Sequence, residues 1–248
     1  MRLGLSLPTF SPDAGALLEM AEAAEEAGVH GLFCFDHLWP LGHPERPALG
    51  MYPVLGAVAA RTDKIAIGSL VARVGLLPDA VVAASIEGLH AIVGDRLIAG
   101  VGLGDRLSVD EHDRNGIARI GRRDREQSLA WLLERLAAAG IERWVGAGRP
   151  PTNEVARRAG ASLNLWQASP AQVADAAERS GLPVTWGGSL PEEAGAAAEV
   201  LVALEHAGAT WVVWGWPRSI ETLVEAARLA GIALEPRGGG RRERRAAE

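Results

Sequence analysis

Gly31-Leu-Phe-Cys-Phe-Asp36-His37-Leu-Trp-Pro40 is a short apolar run that ends in an acid and a histidine and is soon closed by a proline. An uninterrupted apolar run of this kind is typical of a strand that is buried on both faces, as the strands of parallel sheets are. Polar residues at the end of such a strand lie where the sheet meets solvent, and barrel active sites are found at that edge. The segment therefore predicts a buried parallel strand followed by a functional Asp36-His37 pair.

The same pattern of a short apolar strand and a helical segment rich in Ala, Glu and Arg repeats along the chain. The predicted strands are Leu3–Leu7, Gly31–Phe35, Ile65–Val71, Leu97–Val101, Arg143–Val145, Leu163–Leu165, Val184–Trp186 and Trp211–Trp214. Eight strands with helices between them fit a closed (β/α)8 barrel, and the turn after the first strand lacks the glycines of a dinucleotide-binding fold. We therefore expect an α/β protein with a single TIM barrel over residues 1–235 and a disordered Gly/Arg-rich tail over residues 236–248.

The composition limits the classes of function. With 248 residues and 48% hydrophobic content, the chain can bury one large core. A formal net charge of -6 argues against a nucleic-acid-binding protein. Cys34 is the single cysteine, so no internal disulfide can form, and the sequence shows no signal-peptide layout and no apolar stretch long enough to cross a bilayer. The sequence predicts a cytoplasmic protein with neither a nucleic-acid nor a membrane partner.

Glycine-rich segments follow two further predicted strands. Gly100-Val-Gly102-Leu-Gly104-Asp105 ends the fourth strand, and Gly146-Ala147-Gly148 follows the fifth. Glycines at strand ends allow backbone N–H groups to approach a phosphate or the edge of a ring. Together with Asp36-His37, these segments predict one ligand site at the mouth of the barrel.

Each of these features also has a purely structural interpretation. Asp36 and His37 could cap the following segment, and Gly146–Gly148 could form an ordinary turn. Leu107 stands where the dinucleotide fingerprint requires its third glycine. The histidines His37 and His43 lack the spacing of metal ligands, so no metal site is predicted. Tryptophans near strand ends either belong to the core or line the pocket; they are Trp39, Trp166, Trp186, Trp211, Trp214 and Trp216.

Four motifs follow one another along the chain. They are Phe35-Asp36-His37-Leu-Trp-Pro40, Ile65–Leu70 with the helix start Pro78–Ala83, Asp95-Arg-Leu-Ile-Ala-Gly-Val-Gly-Leu-Gly104-Asp105, and Trp144-Val-Gly-Ala-Gly148 with Val155–Ala159. In this order they resemble the motifs of the bacterial luciferase-like flavin and deazaflavin superfamily, and more narrowly those of its oxidoreductases that depend on coenzyme F420. The similarity runs from the first strand to about Ala230.

The resemblance implies a deazaflavin cofactor lying across the barrel mouth. It implies ring contacts from Asp36 and His37, with His37 moving a proton during hydride transfer. Gly102 and Gly104 would also contact the cofactor, and Asp105, where relatives often carry Glu, would be the third catalytic residue. A non-proline cis peptide is expected at Ser69-Leu70, behind the ring, and the backbone of Gly146, Ala147 and Gly148 would receive the phosphate-bearing tail.

Some features depart from the family pattern. Between the third strand and its helix, Gly75-Leu76-Leu77 replaces the usual polar residues, which suggests an apolar wall facing a small organic substrate. The loops after the fourth strand are shortened, which predicts a more open pocket. We therefore expect an F420-dependent oxidoreductase, with two alternatives: an FMN-dependent monooxygenase supplied by a partner reductase, and a flavin- or deazaflavin-binding protein without catalysis. The resemblance also implies a homodimer.

Overall fold

The structure is a computed structural model that describes residues 1–40, 42–104, 108–147, 150–215, 217 and 219–235, without the side chains of Pro150 and Pro151. The described strands are β1 (Arg2–Ser6), β2 (Gly31–Cys34), β3 (Ala66–Arg73), β4 (Leu97–Gly102), β5 (Glu142–Gly146), β6 (Ser162–Trp166), β7 (Val184–Gly188) and β8 (Ala209–Gly215). The described helices are α1 (Ala14–Glu26), α2 (Met51–Arg61), α3 (Asp79–Val93), α4 (Val109–Arg114), α5 (Arg122–Ala138), α6 (Pro150–Ala159), α7 (Pro170–Ser180), α8 (Ala194–His206) and α9 (Ile220–Leu229), and a short 3-10 helix covers Gly94–Arg96.

The strands form one closed barrel in chain order, and β8 pairs with β1 to complete it. Every pair of neighbouring strands is parallel. The predicted (β/α)8 barrel is thus confirmed, and all the strands end at the same mouth. Two helices were not predicted, α2 between β2 and β3 and α4 after β4.

Large aromatic side chains fill the barrel interior. The Phe33 ring stacks on Trp144 at 4.9 Å between centroids, and Trp211 meets both rings edge-on. Neighbouring strands carry glycine where these rings lie: a Cβ on Gly4 would be 2.9 Å from Phe33. A glycine on one strand therefore leaves room for a large aromatic ring on the next strand, and the interior stays closely packed.

A second apolar layer lies between the strands and the surrounding helices. Cys34 is fully buried there as a free thiol, packed with residues such as Leu32 and Val58. The predicted tail, residues 236–248, lies outside the described part of the chain. Within the described ranges, no helix is long and apolar enough to cross a membrane.

The non-proline cis peptide lies between Leu70 and Val71, and the predicted position, Ser69-Leu70, is wrong by one residue. Ser69 still pairs in register with Ala99, and its hydroxyl donates a hydrogen bond of 2.7 Å to the carbonyl of Gly100. The register of β3 against β4 shifts only between Ser69 and Ala72. Regular strand geometry therefore continues through Ser69, and the irregular backbone begins after it.

Candidate functional site

The residues that follow β2 lie at the mouth of the barrel, as predicted. Asp36 accepts a 2.8 Å hydrogen bond from the backbone N–H of Arg73, the last residue of the neighbouring strand β3. This bond fixes the carboxyl group beside the end of β3. Burial raises the pKa of Asp36, against the opposing effects of the Arg73 backbone N–H and the Arg73 charge.

His37 is joined to a carboxylate that comes from a different part of the chain. Its Nδ1 lies 3.0 Å from Oε1 of Glu111, which is in α4 after β4. The Glu111 side chain is completely buried, whereas 15% of the His37 side chain remains exposed. The histidine ring thus reaches the solvent-facing mouth, while its Nδ1 contacts the buried carboxylate of Glu111.

Arg73 is the positive charge of this group. Its Nη2 lies 2.5 Å from Oε2 of Glu111, and only 5% of its side chain is exposed. The contact is a buried charge pair, and the Nε and Nη1 donors of Arg73 find no acceptor in the described part of the chain. We call Asp36, His37, Arg73 and Glu111 the mouth cluster.

The charge balance of the mouth cluster decides which carboxyl group is ionised more easily. Burial by itself would raise the pKa of Glu111, but the hydrogen bond with His37 and the charge of Arg73 outweigh it, so the pKa lies below its ordinary value. Asp36 is shifted in the opposite direction by its burial. The pKa values of the two carboxyl groups are therefore shifted in opposite directions, a feature often found where proton transfer takes place.

Tyr52, on α2, is a further polar group beside the mouth cluster. Its hydroxyl is buried without a hydrogen-bond partner among the described residues. Burial, and secondarily the charge of Asp36, raise the pKa of this hydroxyl. Tyr52 therefore stays neutral and offers an unused donor near Asp36.

An apolar and aromatic surface lies next to the mouth cluster. The Phe10 ring lies parallel to Phe35, with centroids 6.0 Å apart, and Trp166 meets Phe35 edge-on at 5.4 Å. Trp166, the last residue of β6, is 44% exposed. Leu70 and Trp166 both lie against Gly187, where an added Cβ would be 3.5 Å from Leu70 and 2.9 Å from Trp166. We call Phe10, Phe35, Leu70 and Trp166 the apolar floor.

The glycines of β4 and β5 give room to one side chain of β3. A Cβ on Gly102 would be 2.7 Å from Cγ2 of Val71, and one on Gly146 would be 3.3 Å from the same atom. Gly104, with a φ of +74°, lies beside the Arg73 side chain. Gly102 and Gly146 therefore serve the packing of the β3 irregularity, and their contact with a cofactor stays a prediction.

The predicted phosphate-binding backbone is partly engaged by the sheet. The N–H of Ala147 donates a 2.9 Å hydrogen bond to the carbonyl of Asn164 on β6. In this conformation that amide is not free for a phosphate group. The hydroxyl of Ser69 is likewise used, since it donates to Gly100. Asp105, Gly148 and Trp216 lie outside the described residues.

Sequence reasoning missed two members of the mouth cluster, Arg73 and Glu111, together with Tyr52. Arg73 had a usable signal, because it is the single charged residue between Ile65 and Leu77. Glu111 stands in the charged segment Val109–Arg114, in which no apolar spacing marks a buried face. Of the predicted tryptophans, Trp166 lines the mouth, whereas Trp186, Trp211 and Trp214 are buried.

Comparison with curated proteins finds relatives that match part of the chain. The F420-dependent glucose-6-phosphate dehydrogenase of Nakamurella multipartita is 36% identical over 104 residues, which cover 42% of this chain and 30% of that protein. The enzyme of the same name from Kineococcus radiotolerans is 27% identical over 179 residues, 62% of this chain and 52% of the relative. The chain spans about a third of the length of the first relatives it matches.

Solved structures share the fold. An F420-dependent secondary alcohol dehydrogenase in complex with an F420-acetone adduct superposes with a TM-score of 0.74 at 12% identity, covering 94% of this chain and 99% of the other. The oxygenating constituent of 3,6-diketocamphane monooxygenase from Pseudomonas putida, in complex with FMN, gives a TM-score of 0.70 at 13% identity, with 96% and 100% covered. At these identities the likeness establishes the barrel and its topology alone.

The family comparison covers nearly the whole barrel. The sequence model of the family described as luciferase-like monooxygenase matches residues 1–228, from before β1 to within α9. The matched range includes every residue of the mouth cluster and of the apolar floor. This chain belongs to the luciferase-like monooxygenase family.

Proposed function

We propose that this chain is an F420-dependent oxidoreductase that transfers hydride between the deazaflavin cofactor and a small organic substrate. The observation that carries the proposal is the position of Asp36 and His37 beside the apolar floor at the barrel mouth, where the His37 ring lies 6.2 Å, between centroids, from the Phe10 ring. The partial relatives named as F420-dependent glucose-6-phosphate dehydrogenases support the choice of cofactor. Because those relatives are much longer, their sugar-phosphate substrate is not carried over to this chain.

The residues at the mouth fit a flat tricyclic ring. Within the apolar floor, Phe10 and Trp166 keep accessible aromatic surface that can cover a ring, whereas Phe35 and Leu70 are buried. Gly102 and Gly187 present no side chain beside this surface. Nε and Nη1 of Arg73 and the hydroxyl of Tyr52 have no partners among the described residues and can meet the polar edge of a ring. The backbone of Gly146, Ala147 and Gly148 is the proposed site of the cofactor's phosphate-bearing tail, although the Ala147 N–H already donates to Asn164, and Gly104 is a further proposed cofactor contact.

The chain's own residues would supply orientation and a proton. A bound deazaflavin accepts or donates hydride. Asp36, fixed by the backbone of Arg73, orients the ring edge, and His37 exchanges a proton with the substrate, because its ring reaches the open mouth. Asp105 is the proposed third catalytic residue. The exposed side of Leu77 would contribute to an apolar substrate wall.

The setting of the protein is part of the proposal. We place it in the cytoplasm as a homodimer that acts on a small molecule. The buried free thiol of Cys34 supports a reducing compartment, and the resemblance to F420-dependent enzymes supports the dimer. Light scattering on the purified protein would give its mass in solution, and a monomer at all concentrations would contradict the dimer.

Turnover of F420 tests the proposed function. Wild-type protein is incubated without oxygen with F420 and a panel of small alcohols and aldehydes, and the change in cofactor absorbance is followed. We expect at least one substrate to change the redox state of F420, and His37→Ala to retain cofactor binding while turnover falls about 10²-fold or more. Unchanged turnover in His37→Ala would remove this residue from the mechanism.

The same assay distinguishes the two alternatives. The first alternative, an FMN-dependent monooxygenase, is compatible with the family's description as luciferase-like monooxygenase, and it would consume oxygen only when reduced FMN is supplied by a reductase. A non-catalytic binding protein would bind F420 or FMN tightly without changing the redox state of either cofactor with any donor. Either result contradicts the proposed function.

A further inference from the structure

Glu111 has no role in the proposed function, although it is the most deeply buried acid of the mouth cluster. We propose that Glu111 is a positioning residue that holds His37 in the tautomer with the proton on Nδ1, and that Arg73 keeps Glu111 in place for this purpose. The tautomer is a property of the protein alone. Only its consequence for turnover rests on the proposed function.

The first step is the cost of burying Glu111. A carboxylate removed from water is expensive unless charges and hydrogen bonds compensate it. Glu111 is compensated on both oxygens, by His37 at 3.0 Å and by Arg73 at 2.5 Å. Its neighbours in α4 show the contrast: Asp110 is exposed, and Asp113 pairs with Arg119 at the surface. The fold thus turns one acid of this helix inward, toward the histidine.

The second step concerns the charges that face Glu111. Arg73 approaches it from the end of β3 and His37 from the end of β2, and the carboxyl group of Asp36 is a nearby group of the same sign. The net effect of these groups and of burial is a pKa for Glu111 below its ordinary value. Glu111 is therefore a carboxylate, whereas burial favours the neutral form of Asp36.

The third step fixes the proton on His37. A carboxylate has acceptor oxygens and no donor, so the atom of His37 that faces Glu111 must carry the hydrogen. That atom is Nδ1. In the neutral ring the other nitrogen, Nε2, then has a free lone pair. Glu111 in this way sets which end of the imidazole accepts a proton at the mouth.

The substitution Glu111→Gln separates this role from simple packing, because the amide keeps the size of the side chain. Arg73 only donates, so it takes the amide oxygen and leaves the NH₂ group facing Nδ1 of His37. Nδ1 must then accept, and the proton moves to Nε2. The expected result is a reversed tautomer in a folded protein, which a merely structural acid would not produce.

Nitrogen-15 NMR of histidine-labelled protein reads the tautomer directly, at a pH where the ring is neutral. The His37 signals are identified as those absent from His37→Ala. We expect Nδ1 to be protonated in the wild type and in the control Asp110→Asn, and Nε2 to be protonated in Glu111→Gln. An Nε2-protonated wild-type ring would overturn the proposal even if the variant does not fold, and so would an unreversed tautomer in a folded variant.

Kinetics provide the second reading. Glu111→Gln is expected to lower kcat about tenfold or more while leaving F420 affinity nearly unchanged, because a histidine in the wrong tautomer cannot accept the proton at the mouth. Asp110→Asn should match the wild type in both quantities. If the wild type shows no F420 turnover, the proposed function fails, but the NMR result still decides the positioning role. A normal kcat in Glu111→Gln, together with a reversed His37 tautomer, would show that turnover does not depend on the tautomer. It would overturn the proposed effect of Glu111 on turnover.

Discussion

Cγ2 of Val71 lies so close to Gly102 that a Cβ on this glycine would be only 2.7 Å from it. Val71 follows the irregular backbone of β3, and Gly102 ends β4 beside it. The shape of the barrel mouth therefore depends on a glycine in the neighbouring strand.

Gly102→Ala should destabilise the protein by about 1–3 kcal/mol, because the new methyl group overpacks the site. Adding Val71→Ala should recover part of this loss. Gly88→Ala is the control: Gly88 lies on the exposed side of α3 with open space around its Cα, and alanine there should add about 0.5–1 kcal/mol through helix propensity. Urea denaturation measures all of these variants. Equal effects at Gly102 and Gly88 would contradict the packing role.

The apolar floor can be tested with two tryptophans of similar exposure. Trp166 at the mouth is 44% exposed, and Trp131 on α5 is 41% exposed and packs against Arg135. Trp166→Ala should weaken F420 binding about tenfold. A contact between the Trp166 indole and the cofactor ring is worth about 1 kcal/mol beyond the area that it buries. Trp131→Ala should leave the affinity unchanged. Calorimetric titration of both variants gives the comparison, and equal affinities would place the ring elsewhere.

Arg73→Met tests the buried charge pair of the mouth cluster. Removing one partner leaves the Glu111 carboxylate buried without its cation, and we expect a loss of about 3–5 kcal/mol in the free energy of unfolding. The double variant Arg73→Met/Glu111→Gln should lose less than the sum of the single losses. The exposed pair Arg135–Glu87 is the control, and Glu87→Gln should have a far smaller effect. Additive single losses would show that the buried pair is not coupled.

The titration of Asp36 predicts a pH dependence with a definite sign. Its pKa in the folded protein is raised above the ordinary 3.8, so the folded state binds this proton more tightly than the unfolded chain does. Its contribution to stability is complete below about pH 3.8 and is lost as the pH rises through the folded pKa. Asparagine does not titrate, so Asp36→Asn removes this loss of stability with rising pH.

The free energy of unfolding of Asp36→Asn should therefore rise relative to the wild type as the pH increases from about 4 to about 8. The amide oxygen can still accept from the backbone N–H of Arg73. Urea titrations across this range measure the difference between the two proteins. A difference that falls with pH would show that the buried carboxyl is stabilised in its charged form.

Much of the fold could be predicted from the sequence because each β-strand is a short apolar run followed by a helical pattern. The helix α2 was missed because Pro53 and Gly56 interrupt its sequence, although proline is tolerated in a first helical turn. The short helix α4 was missed because the charged segment Val109–Arg114 shows no apolar spacing. The buried residues of α2 do have the spacing of a helix; they are Met51, Val54, Leu55 and Val58. Helix formation at α4 depends on tertiary contacts that local sequence does not show.

The candidate site was predictable only in part for the same reason. Asp36 and His37 stand out because they end an apolar strand. Glu111 is far from both in sequence and reaches His37 only because β2, β3 and β4 are neighbours in the closed barrel. The glycines of β4 were interpreted as ligand contacts, but Gly102 meets Val71, a side chain whose position depends on the irregular backbone of β3.

Equilibrium binding of F420 and of FMN to the wild-type protein tests the central claim most directly. Both titrations are made in the same buffer, and His37→Ala is included to separate binding from turnover. The account predicts that F420 binds at micromolar concentration and more tightly than FMN, and that His37→Ala still binds it. Micromolar binding of FMN with no binding of F420 would contradict the account.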